Sequence, residues 1–253
     1  MKFFCVVNGK KIKQYMVIVF SAFFAACLAF IGQEQLTVFS TKDGPRAIYK
    51  GEDKGNKIAL TFDISWGEKR AIPILDVLKE NGIKNCTFFI SAAWAERHPE
   101  VVERIVKDGH EIGSLGYQFK NYTDWENGQI RRDILLSQEK IKKVSGKTTS
   151  LLRPPNGNFD KRVLKVAESL HHTIVHWSID TKDWQNPGVQ TIIKNATADI
   201  HPGDILLMHA SDSVKQTERA LPTIIDTLKK EGYSFVSVSE LIANTKAQSE
   251  EIR

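Results

Sequence analysis

The chain has 253 residues, 42% apolar and 26% charged, which fits one large globular domain or two small ones and not a disordered polymer. Its formal net charge of +5 rests largely on Lys2, Lys10, Lys11 and Lys13, which stand before the first long apolar run with no acid among them. Without those four the rest carries +1, so the charge gives no argument for a nucleic-acid partner.

Residues 1–14 read as a basic cytoplasmic tail. Tyr15 to Gly32 holds 18 residues without a charge, the minimum length for a transmembrane helix. Lysines precede it and Gln33 and Glu34 follow, so the positive-inside rule leaves the remainder outside the cytoplasm. A cleaved signal peptide is the competing reading, because the run is short and rich in alanine. A lipoprotein box at Phe24–Cys27 is opposed by the apolar sequence that continues past Cys27. The favoured expectation is a single-pass anchor with an extracytoplasmic domain on the cell-wall or forespore-envelope side, and the cell membrane as one partner. Of the three cysteines, Cys5 and Cys27 lie in the tail and the apolar run. Cys86 is then alone in the folded part, without a disulfide mate or a CxxC metal pattern, and reads as a small buried hydrophobe.

Residues 33–56 look like a linker with one strand. From residue 57 to 244 strand and helix patterns alternate. The strands are expected at Ile58 to Phe62, Cys86 to Ile90, His110 to Ser114, Ser150 to Leu152, Thr173 to Ile179, Asp204 to His209 and Ser234 to Val238. Helices are expected at Glu68 to Asn81, Pro99 to Lys107, Glu126 to Val144, Asp160 to Leu170, Gly188 to Ile200, Ser213 to Glu231 and Ser239 to Asn244. Residues 245–253 form a polar tail. About seven β/α units in succession predict one domain with a parallel sheet, nearer a barrel than an open doubly wound sheet. No glycine-rich phosphate loop follows the first strand.

Five strand ends carry chemically suggestive residues. They are Asp63 in IALTFDISWG, the stretch from His110 to Phe119, Arg153 in RPPNG, Asp183 in DTKDW and His209 in LLMHAS. Each alone has a structural explanation: a helix cap, a buried histidine or a surface turn. Together they place Asp63, Arg153, Asp183 and His209 on one rim of a parallel barrel, where such folds build their sites.

These motifs resemble the polysaccharide deacetylases of the NodB-homology type, carbohydrate esterase family 4, over roughly Val38 to Ala243. Within that family the chain is similar to a sporulation-associated deacetylase-like branch of spore-forming bacilli. The resemblance implies a distorted (β/α)7 barrel and, as ligand, peptidoglycan or a related glycan of N-acetylglucosamine and N-acetylmuramic acid. It implies Asp63 as general base, Arg153 as its partner, His209 as general acid and Asp183 as the group orienting that acid. Trp184 would wall the groove, the backbone N–H of Asn156 would face an oxyanion, and Tyr117 and Trp66 would line the substrate site. The family's metal ligands fall on Ile64, Leu115 and Phe119, which cannot ligate, so no metal cofactor is expected. Rescue by Tyr117, Asp180 or His110 is disfavoured, because none supplies a histidine pair beside a strand-end aspartate. What remains is half of a deacetylase, with acid and base but no Lewis acid. Two readings follow: a weak or metal-independent hydrolase of N-acetyl groups, and a non-catalytic glycan-binding protein of the spore cell wall. The first draws support from four intact residues for which a barrel without chemistry has no chemical need. The second draws support from the simultaneous loss of three ligand positions. A third, an unrelated structural membrane protein, would need a separate explanation for every site residue.

Overall fold

The computed structural model describes residues 40–41, 44–51 and 55–243. Among these no helix is long and apolar enough to cross a membrane, and the expected anchor at residues 15–32 lies outside them, as does the tail at 245–253. Ser40–Thr41 (β1) and Gly44–Pro45 (β2) form a short antiparallel pair. The remaining strands are Lys57–Ile64 (β3), Thr87–Ile90 (β4), Glu111–Ser114 (β5), Leu151–Leu152 (β6), Thr173–Ile174 (β7), Ile179–Asp180 (β8), Ile205–His209 (β9) and Ser234–Phe235 (β10). They run parallel in the order β7-β6-β5-β4-β3-β9-β8, and β10 joins the start of β3.

The organising strand is β3, paired with β4 on one side and β9 on the other. Its alternation sorts the core. Ile58, Leu60, Phe62 and Ile64 enter the large cluster with helix residues such as Ile74, Leu75, Val102, Leu221 and Ile225. Ala59 lies on the opposite face, in a second cluster with Phe89, Leu115 and Val175. Thr61 and Asp63 share that inner face, because side chains repeat every two residues. Apolar helix stripes thus cover the outside of a curled parallel sheet, and its carboxyl ends gather on one rim.

Helix boundaries follow local chemistry. Asp160 accepts from the N–H groups of Arg162 and Val163 and caps the helix Lys161–Ser169. Glu126 and Gln129 form a capping box on Asn127–Ser145, which stops at Gly146 with φ +69°. The helix Pro99–Lys107 has the expected bounds, with proline at its first turn.

Four local expectations are corrected. The run from Thr173 to Ile179 is two short strands, β7 and β8, and Asp180 belongs to the second. Between them the carbonyls of Val175 and His176 accept from the Arg153 guanidinium, at 3.4 Å and 2.9 Å. One extended run therefore pairs with β6 at its start and β9 at its end, bringing the two edges of the sheet together. A short helix, Ala92–Arg97, follows β4 directly, where no glycine or proline marks a turn. The helix expected from Ser213 begins at Thr217, because residues 211–216 form a loop that grips its neighbours. Within the stretch read as linker, Ile48 is fully buried and lies on the sheet edge: its N–H donates to Ile174 and its carbonyl accepts from His176.

Candidate active site

Register brings the two ends of the chemistry together. Asp63, next to last in β3, pairs with His209, the last residue of β9, and the Ala210 N–H donates to the Asp63 carbonyl. Each residue has its own buried partner.

Arg153 follows β6 and is fully buried. Its Nη1 donates to Asp63 Oδ1 at 2.7 Å and to Thr61 Oγ1 at 2.9 Å, and its Nη2 donates to the His176 carbonyl. The guanidinium lies 4.0 Å from the centroid of the Phe89 ring, a cation–π contact in a dry setting. Thr61 passes the chain on by donating to the Leu206 carbonyl at 2.6 Å. Arg153 thus touches β3, β4 and the β7–β8 run at once, and this fork geometry suits arginine and not lysine.

Asp183 is also fully buried. Its Oδ1 lies 2.8 Å from His209 Nδ1, and its Oδ2 accepts from the His209 N–H at 2.8 Å and from Thr217 Oγ1 at 2.7 Å. Burial disfavours a charged His209, but the Asp183 hydrogen bond, the Asp183 charge and the Asp63 charge outweigh it. The His209 pKa is raised above the ordinary histidine value. With Nδ1 engaged, Nε2 is left to hold or give a proton at the rim.

The RPPNG turn sits against the His176–Trp177 pair, whose rings stack 3.7 Å apart. Gly157 has φ +71°, and a Cβ there would come within 2.6 Å of Trp177 and 2.8 Å of His176. Asn156 has φ +58°, a conformation asparagine tolerates better than most residues, and its amide donates to Asn121 Oδ1. Burial, with the nearby Arg153 charge, lowers the His176 pKa to about 4, so its ring is neutral at neutral pH. Tyr117 turns its hydroxyl to Glu96 at 3.3 Å and packs against the large core cluster. Trp66 and Trp184 stand about half exposed, at 52% and 50%.

The metal implied by the resemblance does not fit these residues. Leu115 is fully buried and shares a cluster with Phe89, against which Phe119 and Trp177 pack. Ile64 is fully buried in the other cluster, on the helix-facing side of β3. The three therefore extend two separate apolar cores. Among the described residues no group of three His, Cys, Asp or Glu side chains could hold a metal ion. The loop they frame is shaped by Asp133, which accepts from the Tyr117 N–H, the Gln118 N–H and the Tyr122 hydroxyl.

Sequence reasoning missed Thr61, Thr217 and His176. Thr61 was legible, two residues before Asp63 on the same strand face. Thr217 lies 34 residues from Asp183, and nothing in the pattern connects them.

The polysaccharide deacetylase family profile matches residues 50–175. The chain is 30% identical to the uncharacterised protein YlxY of Bacillus subtilis over 80% of its own length, and spans 62% of that protein. It is 31% identical to a peptidoglycan-N-acetylglucosamine deacetylase of Bacillus cereus, covering 83% of this chain and 77% of that one. Among solved structures it superposes, with a TM-score of 0.73 and 29% identity, on BA3943 of Bacillus anthracis, described as a CE4 family pseudoenzyme; the match covers 78% of this chain and 69% of that one.

Proposed function

Because the chain belongs to the polysaccharide deacetylase family, we propose that it acts on N-acetylated amino sugars of peptidoglycan, using Asp63 as base and His209 as acid and no metal. The observation that carries this is the pairing of Asp63 with His209 at one rim, each held by a fully buried partner. Water attacks the acetyl carbonyl carbon as Asp63 takes its proton, and the carbonyl electron pair moves onto oxygen beside the Asn156 N–H. His209, protonated and tethered through Nδ1 to Asp183, gives its Nε2 proton to the amide nitrogen. The C–N bond then breaks, releasing acetate and a free amine. The proton on Asp63 leaves to solvent, which reloads His209. A raised His209 pKa suits the acid role near neutral pH. Without a Lewis acid the barrier stands about 4 kcal/mol higher, roughly a thousandfold in rate.

A second reading is glycan binding without turnover. Its support is the apolar residues at Ile64, Leu115 and Phe119, and the likeness to a structure described as a pseudoenzyme. The wider setting belongs to the same proposal: a distorted (β/α)7 barrel behind a single-pass anchor at residues 15–32, facing the cell wall, in the sporulation-associated branch, on spore-cortex peptidoglycan. Acetate release from N-acetylglucosamine oligomers and peptidoglycan tests the chemistry. Release that falls to background in Asp63→Ala and His209→Ala supports the hydrolase. Equal release from wild type and both variants removes it, and glycan binding that survives in the variants then favours the second reading.

A further inference from the structure

We propose that the exposed faces of the helices Asn127–Ser145 and Lys161–Ser169 form a cationic docking surface for the peptide carboxylates that muramic acid residues carry, so that the protein prefers a peptide-bearing glycan strand over a bare one. This rests on the glycan reading above and deepens it, because the N-acetyl sugars themselves are neutral. Charge in the described fold is segregated. Residues 127–165 hold ten Lys and Arg against three Asp and Glu, while the rest of residues 55–243 hold fifteen against twenty-one. The near-neutral sum thus conceals one basic flank on an otherwise acidic domain.

Helical period gathers that flank. Arg131, Arg132, Lys142 and Lys143 are all exposed and fall within about 120° of arc, opposite the buried Ile130, Ile134 and Ile141. Glu139 is the one exposed carboxylate of that arc. Lys161 and Lys165, exposed on the second helix, repel each other across one turn. Arg131 Nη1 donates to Ser169 Oγ at 3.2 Å and joins the two faces. Among the described residues Arg132, Lys142, Lys143, Lys147 and Lys165 make no ion pair, so folding gives little account of their number. The flank is also continuous with the candidate active site. Its helices follow β5 and β6, whose carboxyl ends belong to the rim. Arg153, which holds Asp63, opens the RPPNG turn, and Asn156 and Asn158 just beyond it both donate to Asn121 Oδ1. Arg162 then donates to the carbonyls of Thr123 and Trp125, fastening the start of one helix to the approach of the other. One connected ridge therefore leads from the partner of the base to the cations. Those on the first helix run about 16 Å along it, the reach of an extended peptide of about five residues. A ridge rooted in the site favours groups attached to the glycan over a separate polyanion, and a face with Leu135 as its one exposed large apolar side chain offers little to a lipid surface.

The test is calorimetric titration of the full chain with three soluble glycan strands: one bearing its peptides, one with the peptides removed, and one with the peptide carboxyl groups amidated. Wild type is expected to bind the first about tenfold more tightly than the other two at low salt, with the advantage shrinking at about 0.5 M salt. The triple variant Arg132→Gln, Lys143→Gln, Lys165→Gln should bind all three strands alike, at the affinity wild type has for the bare strand. Lys79→Gln with Lys194→Gln, which removes exposed cations from two other helices, should keep the advantage. Unchanged melting temperatures separate lost contact from lost fold. A tenfold advantage that persists in the triple variant overturns the docking surface and leaves the glycan reading standing. Equal binding of the three strands by wild type, with inorganic polyphosphate bound through the same three residues, assigns the face to a phosphate polymer and likewise overturns the proposal. Failure of wild type to bind any strand overturns both readings.

Discussion

Arg153→Met is the most informative perturbation of the fold. In the wild type the guanidinium has no exposed surface, and the Asp63 carboxyl it meets at 2.7 Å is 12% exposed. Removing the cation leaves a nearly buried carboxylate without its countercharge, a change worth about 3–5 kcal/mol. Methionine fills most of the volume, so the cavity contribution is small. For a domain of this size about 4 kcal/mol corresponds to a fall of roughly 10 °C in melting temperature. Asp63→Asn is expected to cost a similar amount, because it strands the arginine instead. The double variant has neither charge and should cost well under the sum of the two, with a coupling of about 2 kcal/mol or more. Urea unfolding at neutral pH measures all four corners of the cycle, and circular dichroism checks that each variant is folded. A single Arg153→Met cost below about 1 kcal/mol, or a double variant equal to the sum, would refute the claim that this pair is a buried, coupled element of the fold.

Other predictions follow from the same geometry. Asp183→Asn removes the carboxylate whose hydrogen bond and charge do most to raise the His209 pKa against burial, so NMR titration of the His209 ring should give a lower value than wild type. A histidine pKa raised on folding contributes stability in acid that is lost as pH climbs through the folded value, so the stability gap between wild type and Asp183→Asn should narrow at alkaline pH. His110 and His176 act with the opposite sign: burial first, and for His176 also the Arg153 charge, lowers both to about 4. The unfolded chain then takes up these protons before the folded one, and stability should fall as pH drops from about 6.5 toward 4, by up to about 3 kcal/mol per histidine. Thr217→Val should cost about 1–2 kcal/mol by leaving Asp183 short of a donor, and Thr217→Ser should recover most of it in thermal melts. Added zinc or a chelator should leave the melting temperature unchanged; stoichiometric zinc in the pure protein would overturn the reading of Ile64, Leu115 and Phe119.

The sheet was legible because its strands are short apolar runs bounded by glycine or charge, and period-2 alternation put Asp63 and Thr61 on one face. The rim residues Asp63, Arg153, Asp183 and His209 were legible because each stands just beyond such a run. What the sequence hides is pairing across distance. That Thr217 completes Asp183, or that Asp212 holds the backbone of residues 68–70, depends on the 210–216 loop lying between two others. Periodicity carried the helix pattern straight through that loop. The break between β7 and β8 was likewise invisible, because Val175 and His176 are residue types a strand accepts and differ from strand residues in whom their carbonyls meet. Ile64 shows the limit of motif alignment: its position beside Asp63 in sequence turns its side chain to the opposite face of the strand.

These contacts change which residues inform about function. From sequence, an intact set of Asp63, Arg153, Asp183 and His209 argues for catalysis, since a barrel without chemistry has no chemical need of them. The structure supplies a different need. Arg153 ties β3, β4 and the β7–β8 run, and Asp183 takes three donors from two elements, so stability alone accounts for both. With Arg153 buried, Asp63 is required as its countercharge, and with Asp183 buried, a protonated His209 plays the same part. Trp66 and Trp184 are each about half in solvent and belong to none of the three buried clusters, so stability asks less of them. Truncating either to alanine removes only the half of the indole that is buried and should cost about 1–2 kcal/mol, less than Arg153→Met. Glycan binding by folded Trp66 and Trp184 variants therefore speaks to function more directly than loss of the buried quartet, whose removal damages the fold whether or not the protein turns over a glycan.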